Sequence, residues 1–220
     1  MIELVADPIT DQFEKWTTTF SDRPDFLGSE PSEPGRAATA RFAAASVEEL
    51  LELGPGQGRD TLLFAGAGLR VIALDYAEPG LAQIRAKAEA AGVGPAIRTL
   101  VGDVRRPLPL TNDSVDACYA HMLLCMALTT GEIGRLVDEV RRVLRSGGLF
   151  VYTVRTTADA HSGVGVDHGD GRWEMGGFIV HFFDGPLIER LATGWELLEV
   201  AEYEEGKLPR RLAAVTMRKT

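Results

Sequence analysis

Hydrophobic and polar positions along this chain switch between two periods, and the switches mark its elements. Over residues 8 to 20, Ile9, Phe13, Trp16 and Phe20 recur at three- and four-residue intervals, which predicts a short amphipathic helix. A Pro/Gly/Ser-rich stretch from Ser21 to Gly35 reads as a loop, and Ala37 to Ala45 is helical by propensity. Val47 to Leu53 is then continuously apolar apart from its acids and stops at Gly54-Pro55-Gly56, the pattern of a buried strand feeding a tight turn, with a helix over 61–67. Similar runs over 70–74, 97–101, 115–120 and 149–154 predict four more strands, the first closed by Asp75 and the second by Gly102-Asp103. Between them, Leu81, Ile84, Ala88 and Ala91 give a helix over 77–91 that Gly92 stops. Ile133, Leu136, Val137, Val140, Val143 and Leu144 form one face of a helix over 132–144, with Thr130 as its expected cap and Gly147-Gly148 after its end. A long Gly/His/Asp-rich segment over 156–177 interrupts the alternation. A helix over 186–192 and strands over 195–203 and 212–218 close the chain.

Strands alternating with helices predict an α/β fold, a doubly wound, mostly parallel sheet covered on both faces. The last two strands have only the short connection 204–211 and should form a C-terminal antiparallel hairpin. No internal repeat or linker divides the 220 residues, so a single domain is expected.

Composition narrows the partners. The formal net charge of -9 disfavours a broad phosphate-binding surface, so no nucleic acid is expected. No run approaches the roughly 18 apolar residues of a membrane span, and Met1–Pro8 lacks the basic and apolar regions of a signal peptide. A cytoplasmic protein is expected, a monomer or homodimer. Cys118 and Cys125 lie in an apolar run without CxxC spacing and read as reduced core thiols.

In an open α/β sheet, ligands bind beyond the carboxyl ends of the strands, where strand order reverses. Gly54, Gly56 and Gly58 place a backbone-lined turn there. The spacing is G-x-G-x-G, with Arg59 where a dinucleotide site wants a third glycine, and no Gly-Lys-Ser/Thr follows as in a P-loop. Asp75 ends the next strand, where a carboxylate can hold both hydroxyls of a ribose, and Asp103 ends the one after.

Leu51-Glu-Leu-Gly-Pro-Gly-Gln-Gly-Arg-Asp60, Ile72-Ala-Leu-Asp75, Gly102-Asp103 and Arg142-Val-Leu-Arg-Ser-Gly-Gly-Leu149 resemble the ordered motifs of class I S-adenosylmethionine-dependent methyltransferases. Within that superfamily the chain is most similar to the small tellurite-resistance/thiopurine-type group, through Asp184-Gly-Pro-Leu-Ile-Glu-Arg-Leu and Gly194-Trp195-Glu196. The resemblance implies a Rossmann-like sheet, S-adenosyl-L-methionine as cofactor and in-line methyl transfer to a small-molecule S, O, N or metalloid nucleophile. It implies an N-terminal helical lid over 1–45, a cofactor-binding core over 46–155, a substrate loop over 156–182 and a closing helix and hairpin over 183–220. Glu52 would face the cofactor's ammonium, with Leu53 and Gly54 beside it. Asp75 would take the ribose, Tyr76 would pack near the adenine, and Asp103 and Val104 would bind its edge. Tyr119, Ala120 and His121 would form the floor beneath the sulfonium. Pro55 departs from the small residue many relatives carry there.

For the acceptor, His121 is the candidate base, against a satisfied histidine at a helix start. Arg155 would meet an anionic acceptor or form a buried ion pair. Trp16 belongs to a lid or to ordinary packing, and Arg172, Trp173 and His181 to a substrate cover or a solvated loop. The spacing of His161, His168 and His181 matches no metal site, and none is expected. No Asn/Asp-Pro-Pro-Tyr/Phe follows the fourth strand and no Pro-Cys dipeptide is present, which disfavours nucleobase acceptors. The alternatives are a non-catalytic S-adenosylmethionine-binding protein and a nicotinamide-dependent oxidoreductase, the latter opposed by Arg59 and the glycine spacing.

Overall fold

The computed structural model describes the backbone of residues 8–206 and 210–220 and the side chains of 12–206 and 210–220. The signal-peptide expectation for Met1–Pro8 and the place of Ile9 on its helix face therefore lie outside what is described.

Two helices open the chain, α1 (Pro8–Asp22) and α2 (Glu33–Ala44). The alternating core follows as β1 (Glu49–Leu53), α3 (Arg59–Gly66), β2 (Arg70–Asp75), α4 (Glu78–Ala90), β3 (Ile97–Val101), β4 (Val115–His121), α5 (Thr130–Val143) and β5 (Leu144–Arg155). Three short strands come next, β6 (Val166–Asp167), β7 (Arg172–Met175) and β8 (Phe178–His181), then α6 (Gly185–Leu191), β9 (Trp195–Glu205) and β10 (Arg210–Lys219). The main sheet has the order β3-β2-β1-β4-β5-β10-β9, with β1 to β5 parallel and the last two strands antiparallel. This is the expected doubly wound, Rossmann-like sheet with its C-terminal hairpin. Strand order reverses between β1 and β4, so the carboxyl ends of those strands flank the ligand position of the fold.

Both faces of the sheet are buried, which explains the nearly continuous apolar strands. The pleat sorts them: Leu51, Leu53, Cys118, Ala120, Phe150 and Tyr152 pack with α5 and α6, whereas Leu50, Ala117, Tyr119, Leu149 and Val151 pack with Phe42 and Phe64 on the other face. Both cysteines are free thiols sealed in this core, and burial pushes Cys125 up to about 11. Neither is a usable nucleophile near neutrality.

Three expectations change. Helix α2 starts four residues early, because the Ser32 hydroxyl accepts the Gly35 N–H and Pro34 sits in the first turn. Thr129, not Thr130, caps α5: its side chain accepts the Glu132 N–H, and the Glu132 carboxylate accepts the Thr129 N–H at 2.8 Å, a closed capping box. Thr130 instead donates its N–H and hydroxyl to Asp170, each at 2.6 Å. The 156–177 segment is not a plain loop, since β6, β7 and β8 form a second, antiparallel sheet. Its hairpin turns on Gly176 and Gly177, whose φ values of 58° and 80° suit a two-residue turn that matches strand twist.

Candidate functional site

A cavity of about 460 Å³ lies beyond the carboxyl ends of β1, β2 and β4. Its size is ordinary for a small-molecule site. Its floor is the turn after β1, where Gly54, Gly56 and Gly58 have φ of 64°, 56° and 86°, conformations that favour glycine. A Cβ on Gly58 would lie 2.5 Å from Ile84 of α4, so the third glycine serves helix packing rather than the cavity wall.

Three carboxylates from three adjacent strand ends meet this floor. Glu52 is buried, lines the cavity and has one oxygen, Oε2, without a hydrogen-bond partner. Burial, with Asp60 and Asp75 adding to it, pushes its carboxyl up to about 8. Asp75 accepts N–H bonds from Ala77 at 2.9 Å and Gly56 at 3.3 Å, yet burial still pushes it up to about 6. Asp103 is gripped by Arg105 through contacts of 2.6 to 2.9 Å; burial opposes its ionisation, but these bonds hold it below the ordinary carboxylate range. Tyr76 and Val104 also line the cavity, and the ring of Tyr76 packs on Phe13 at 4.9 Å.

The roof is aromatic. Trp16 sits 4.8 Å from Phe178 of β8, 5.4 Å from Phe20 and 6.3 Å from Phe26, and all four rings line the cavity. Gln12 ties α1 to β8, donating to the Gly177 carbonyl at 2.8 Å and accepting the Ile179 N–H at 3.2 Å. Met122, Leu123 and Met126 line the cavity after β4, which makes that wall apolar.

Two polar candidates adjoin this wall. His121 Nε2 lies 2.9 Å from Arg59 Nη2, and its Nδ1 lies 2.8 Å from the Thr153 hydroxyl. A guanidinium can only donate, so Nε2 must be the acceptor and Nδ1 must carry the proton. Burial holds this imidazole below its usual value. Arg155 also lines the cavity, but its guanidinium is committed to the buried Asp159 at 2.6 and 3.1 Å and lies over the Phe182 ring. Of its two expected roles, the buried ion pair is what the geometry displays.

Tyr119 is not on the cavity wall. Its ring is buried against Phe64, one pleat below His121, and its hydroxyl donates to Asp60 at 3.3 Å. Arg172 and His181 also stand behind the wall. Arg172 donates to the carbonyls of Gly169, His168 and Ala127, and the buried His181 uses Nδ1 on the Leu128 carbonyl. His161 pairs with Asp159 and His168 with Glu174. Among the described residues, no group of three His, Cys, Asp or Glu side chains is placed to hold a metal ion. Nor is any helix among them long and apolar enough to cross a membrane.

Several wall residues escaped the sequence reading. Arg59 registers there only as the residue that breaks a dinucleotide pattern, although it lines the cavity between Leu27 and His121. Arg105, Gln12 and the hairpin residues Glu205 and Arg210 line it too. Asp60 also borders it and organises its base, accepting the Ser32 N–H and hydroxyl, each at 2.7 Å. The signal for Arg59 and Asp60 was their place at the start of the helix after the turn; for the hairpin residues there was none.

Known proteins resemble this chain in sequence and in fold. The methyltransferase domain family matches residues 51–152. An uncharacterised, chloroplastic methyltransferase of Arabidopsis thaliana is 36% identical over 144 residues, covering 63% of this chain and 39% of that protein. A malonyl-[acyl-carrier protein] O-methyltransferase of Pectobacterium atrosepticum is 32% identical over 127 residues, covering 57% of this chain and 45% of its own. The matches thus span less than half the length of these curated relatives. Among solved structures, Burkholderia thailandensis 1,6-didemethyltoxoflavin-N1-methyltransferase, with S-adenosylhomocysteine bound, superposes with a TM-score of 0.77 at 20% identity, over 100% of this chain and 93% of that one.

Proposed function

We propose that this chain, a member of the class I methyltransferase superfamily by its fold and by the domain at residues 51–152, uses S-adenosylmethionine to methylate a small-molecule acceptor. One observation carries the reading: Glu52, Asp75 and Asp103 end three adjacent parallel strands and line a single cavity around a glycine turn. The unpartnered, buried Glu52 Oε2 fits an ammonium group, which would draw the carboxyl into its ionised form. Asp75 is fixed by backbone N–H groups with its remaining lone pairs toward the cavity, and suits a pair of ribose hydroxyls. Tyr76, Val104 and Asp103 would hold the adenine, with Arg105 sharing Asp103.

The bound cofactor supplies a methyl group on a good leaving group, so the protein's task is to hold the acceptor in line and exclude water. The ring cluster of Trp16, Phe20, Phe26 and Phe178, with Met122 and Met126, gives an apolar acceptor chamber. With His121 Nε2 taken by Arg59 and Arg155 held by Asp159, this arrangement relies first on positioning. The acceptor atom is S, O, N or a metalloid. A tellurite-resistance/thiopurine-type acceptor is the finer form of the proposal, resting on the C-terminal sequence resemblance.

Calorimetric titration with S-adenosylhomocysteine tests the cofactor, with one site per chain expected. Release of NAD(H) from the denatured protein, seen by mass spectrometry, would overturn the reading. A screen with methyl-labelled cofactor against thiols, phenols, amines and metalloid oxyanions then identifies the acceptor.

A further inference from the structure

Of the four arginines that line the cavity, Arg210 is exposed and the other three are not equivalent. Arg105 is paired with Asp103 and Arg155 with Asp159, whereas Arg59 has no carboxylate partner among the described residues. Its guanidinium instead donates to a backbone carbonyl, Leu27 O at 3.1 Å, and to a neutral imidazole, His121 Nε2 at 2.9 Å. Both are weak substitutes for an anion, because a guanidinium's fork of donors matches a carboxylate in shape and charge. The same contact silences the histidine, since it occupies the one lone pair the imidazole has. The other ring nitrogen is fixed by Thr153, whose oxygen also accepts the Met122 N–H at 3.0 Å, so the ring has no reason to turn away.

Resting on the proposed methyltransferase reading, the geometry points to Arg59 as the receptor of a ligand carboxylate, whose arrival draws the guanidinium from His121 and frees Nε2 to take a proton from the acceptor. The carboxylate has two possible sources. One is the cofactor's amino-acid end, where Glu52 would hold the ammonium and Arg59 the carboxylate of a single zwitterion. The other is the acceptor itself. In either case the base is available only when the site is loaded. The acceptor O–H or N–H then gives its proton to Nε2 as its lone pair forms the new bond to the methyl carbon. The S–CH₃ bond breaks with its electron pair left on sulfur. The imidazolium so formed keeps its Nδ1–H on Thr153; burial opposes it most, Asp60 and Glu205 favour it, and Arg59 and Arg210 oppose it. Removal of Arg59 to a ligand carboxylate lessens that opposition.

The test reads His121 directly, through the imidazole ¹⁵N resonances of the labelled full-length protein. S-adenosylhomocysteine, 5′-methylthioadenosine (the same thioether nucleoside without the amino acid) and 4-hydroxybenzoate added with S-adenosylhomocysteine are the probes. A change at Nε2 with S-adenosylhomocysteine but not with 5′-methylthioadenosine assigns the carboxylate to the cofactor. A change only on adding 4-hydroxybenzoate assigns it to the acceptor. Arg59→Gln should weaken the responsible probe roughly tenfold to a hundredfold, the span of a lost charged hydrogen bond, while 5′-methylthioadenosine stays within about twofold. Arg59→Lys should restore part of the loss, as a charge without the fork. An Nε2 signal unmoved by every probe, or equal losses for all probes in Arg59→Gln, overturns the inference while S-adenosylhomocysteine binding leaves the proposed function standing. If S-adenosylhomocysteine does not bind the unaltered protein, the cofactor reading falls and 4-hydroxybenzoate alone decides the role of Arg59.

Discussion

Asp75 shows how much one strand-end carboxylate is asked to do. It closes the turn by accepting the Ala77 and Gly56 N–H groups, and it remains buried enough to be pushed up to about 6. An amide in its place keeps the shape but loses the charge that strengthens hydrogen bonds to ribose hydroxyls. Asp75→Asn is therefore expected to weaken S-adenosylhomocysteine roughly tenfold or more by calorimetry, with little change in far-ultraviolet circular dichroism. This residue, like Asp103, stood out in the sequence because it closes a strand, whereas Glu52 was implied by the resemblance of the glycine-turn motif. The partnership of Arg59 with His121 was not, since nothing local links residues 62 apart. Tyr119 stands apart from both. It shares a sheet face with His121, but the pleat sets it one step further down, beneath Asp60, where a bulky ring completes the core rather than the wall.

At the scale of elements, the roof over the cavity is tied by hydrogen bonds as well as by ring packing. Gln12 exchanges two hydrogen bonds with the backbone of the Gly177–Ile179 hairpin arm and so joins α1 to the small sheet. Gln12→Ala leaves the half-buried Gly177 carbonyl and the buried Ile179 N–H unpaired, a cost of about 1–3 kcal/mol borne by the contact between the two elements. Hydrogen exchange of α1 should accelerate roughly tenfold or more, while β1, β4 and β5 keep their protection. Unchanged exchange in α1 would show that the aromatic cluster alone holds the roof. The two threonines before α5 separate as sharply. Thr129→Ala breaks the capping box and should cost about 1 kcal/mol in urea unfolding, whereas Thr130→Ala loses only an exposed bond to Asp170 and should cost less. Amphipathic periodicity located α5 and its neighbours well, but two adjacent threonines look alike to it. The small sheet escaped for a related reason. Its strands are two to four residues long, too short for a period to emerge, and only Gly176-Gly177 between Met175 and Phe178 marked the hairpin.

For the whole molecule, the crowding of acids at one end of the sheet sets a pH dependence whose direction can be worked out. Glu52 and Asp75 are raised in the fold, so each holds its proton longer than in the unfolded chain. Their contribution is complete below the unfolded values and is lost as pH rises through the folded ones, about 6 for Asp75 and about 8 for Glu52. His121 and His181 are lowered by burial and act the other way, costing stability only as pH falls below the ordinary histidine value of about 6.5. The buried thiol of Cys125, the buried Tyr119 and the half-buried Tyr76 are raised, so they withdraw stability only above about pH 9. That leaves Glu52 as the dominant titrating group between about pH 6.5 and 8.5. Across this window the ligand-free protein should lose about 1–2 kcal/mol of unfolding free energy, and Glu52→Gln, which cannot ionise, should lose little. Chemical denaturation at both ends of the window measures the slope, and parallel curves for the two proteins would remove Glu52 as its source. The same group links stability to the cofactor. An ammonium bound at Oε2 must displace the Glu52 proton, so binding near pH 7 should release close to one proton per site. Titrations of S-adenosylhomocysteine in two buffers of different ionisation enthalpy would count that proton, and Glu52→Gln should abolish it while Asp75→Asn leaves most of it in place.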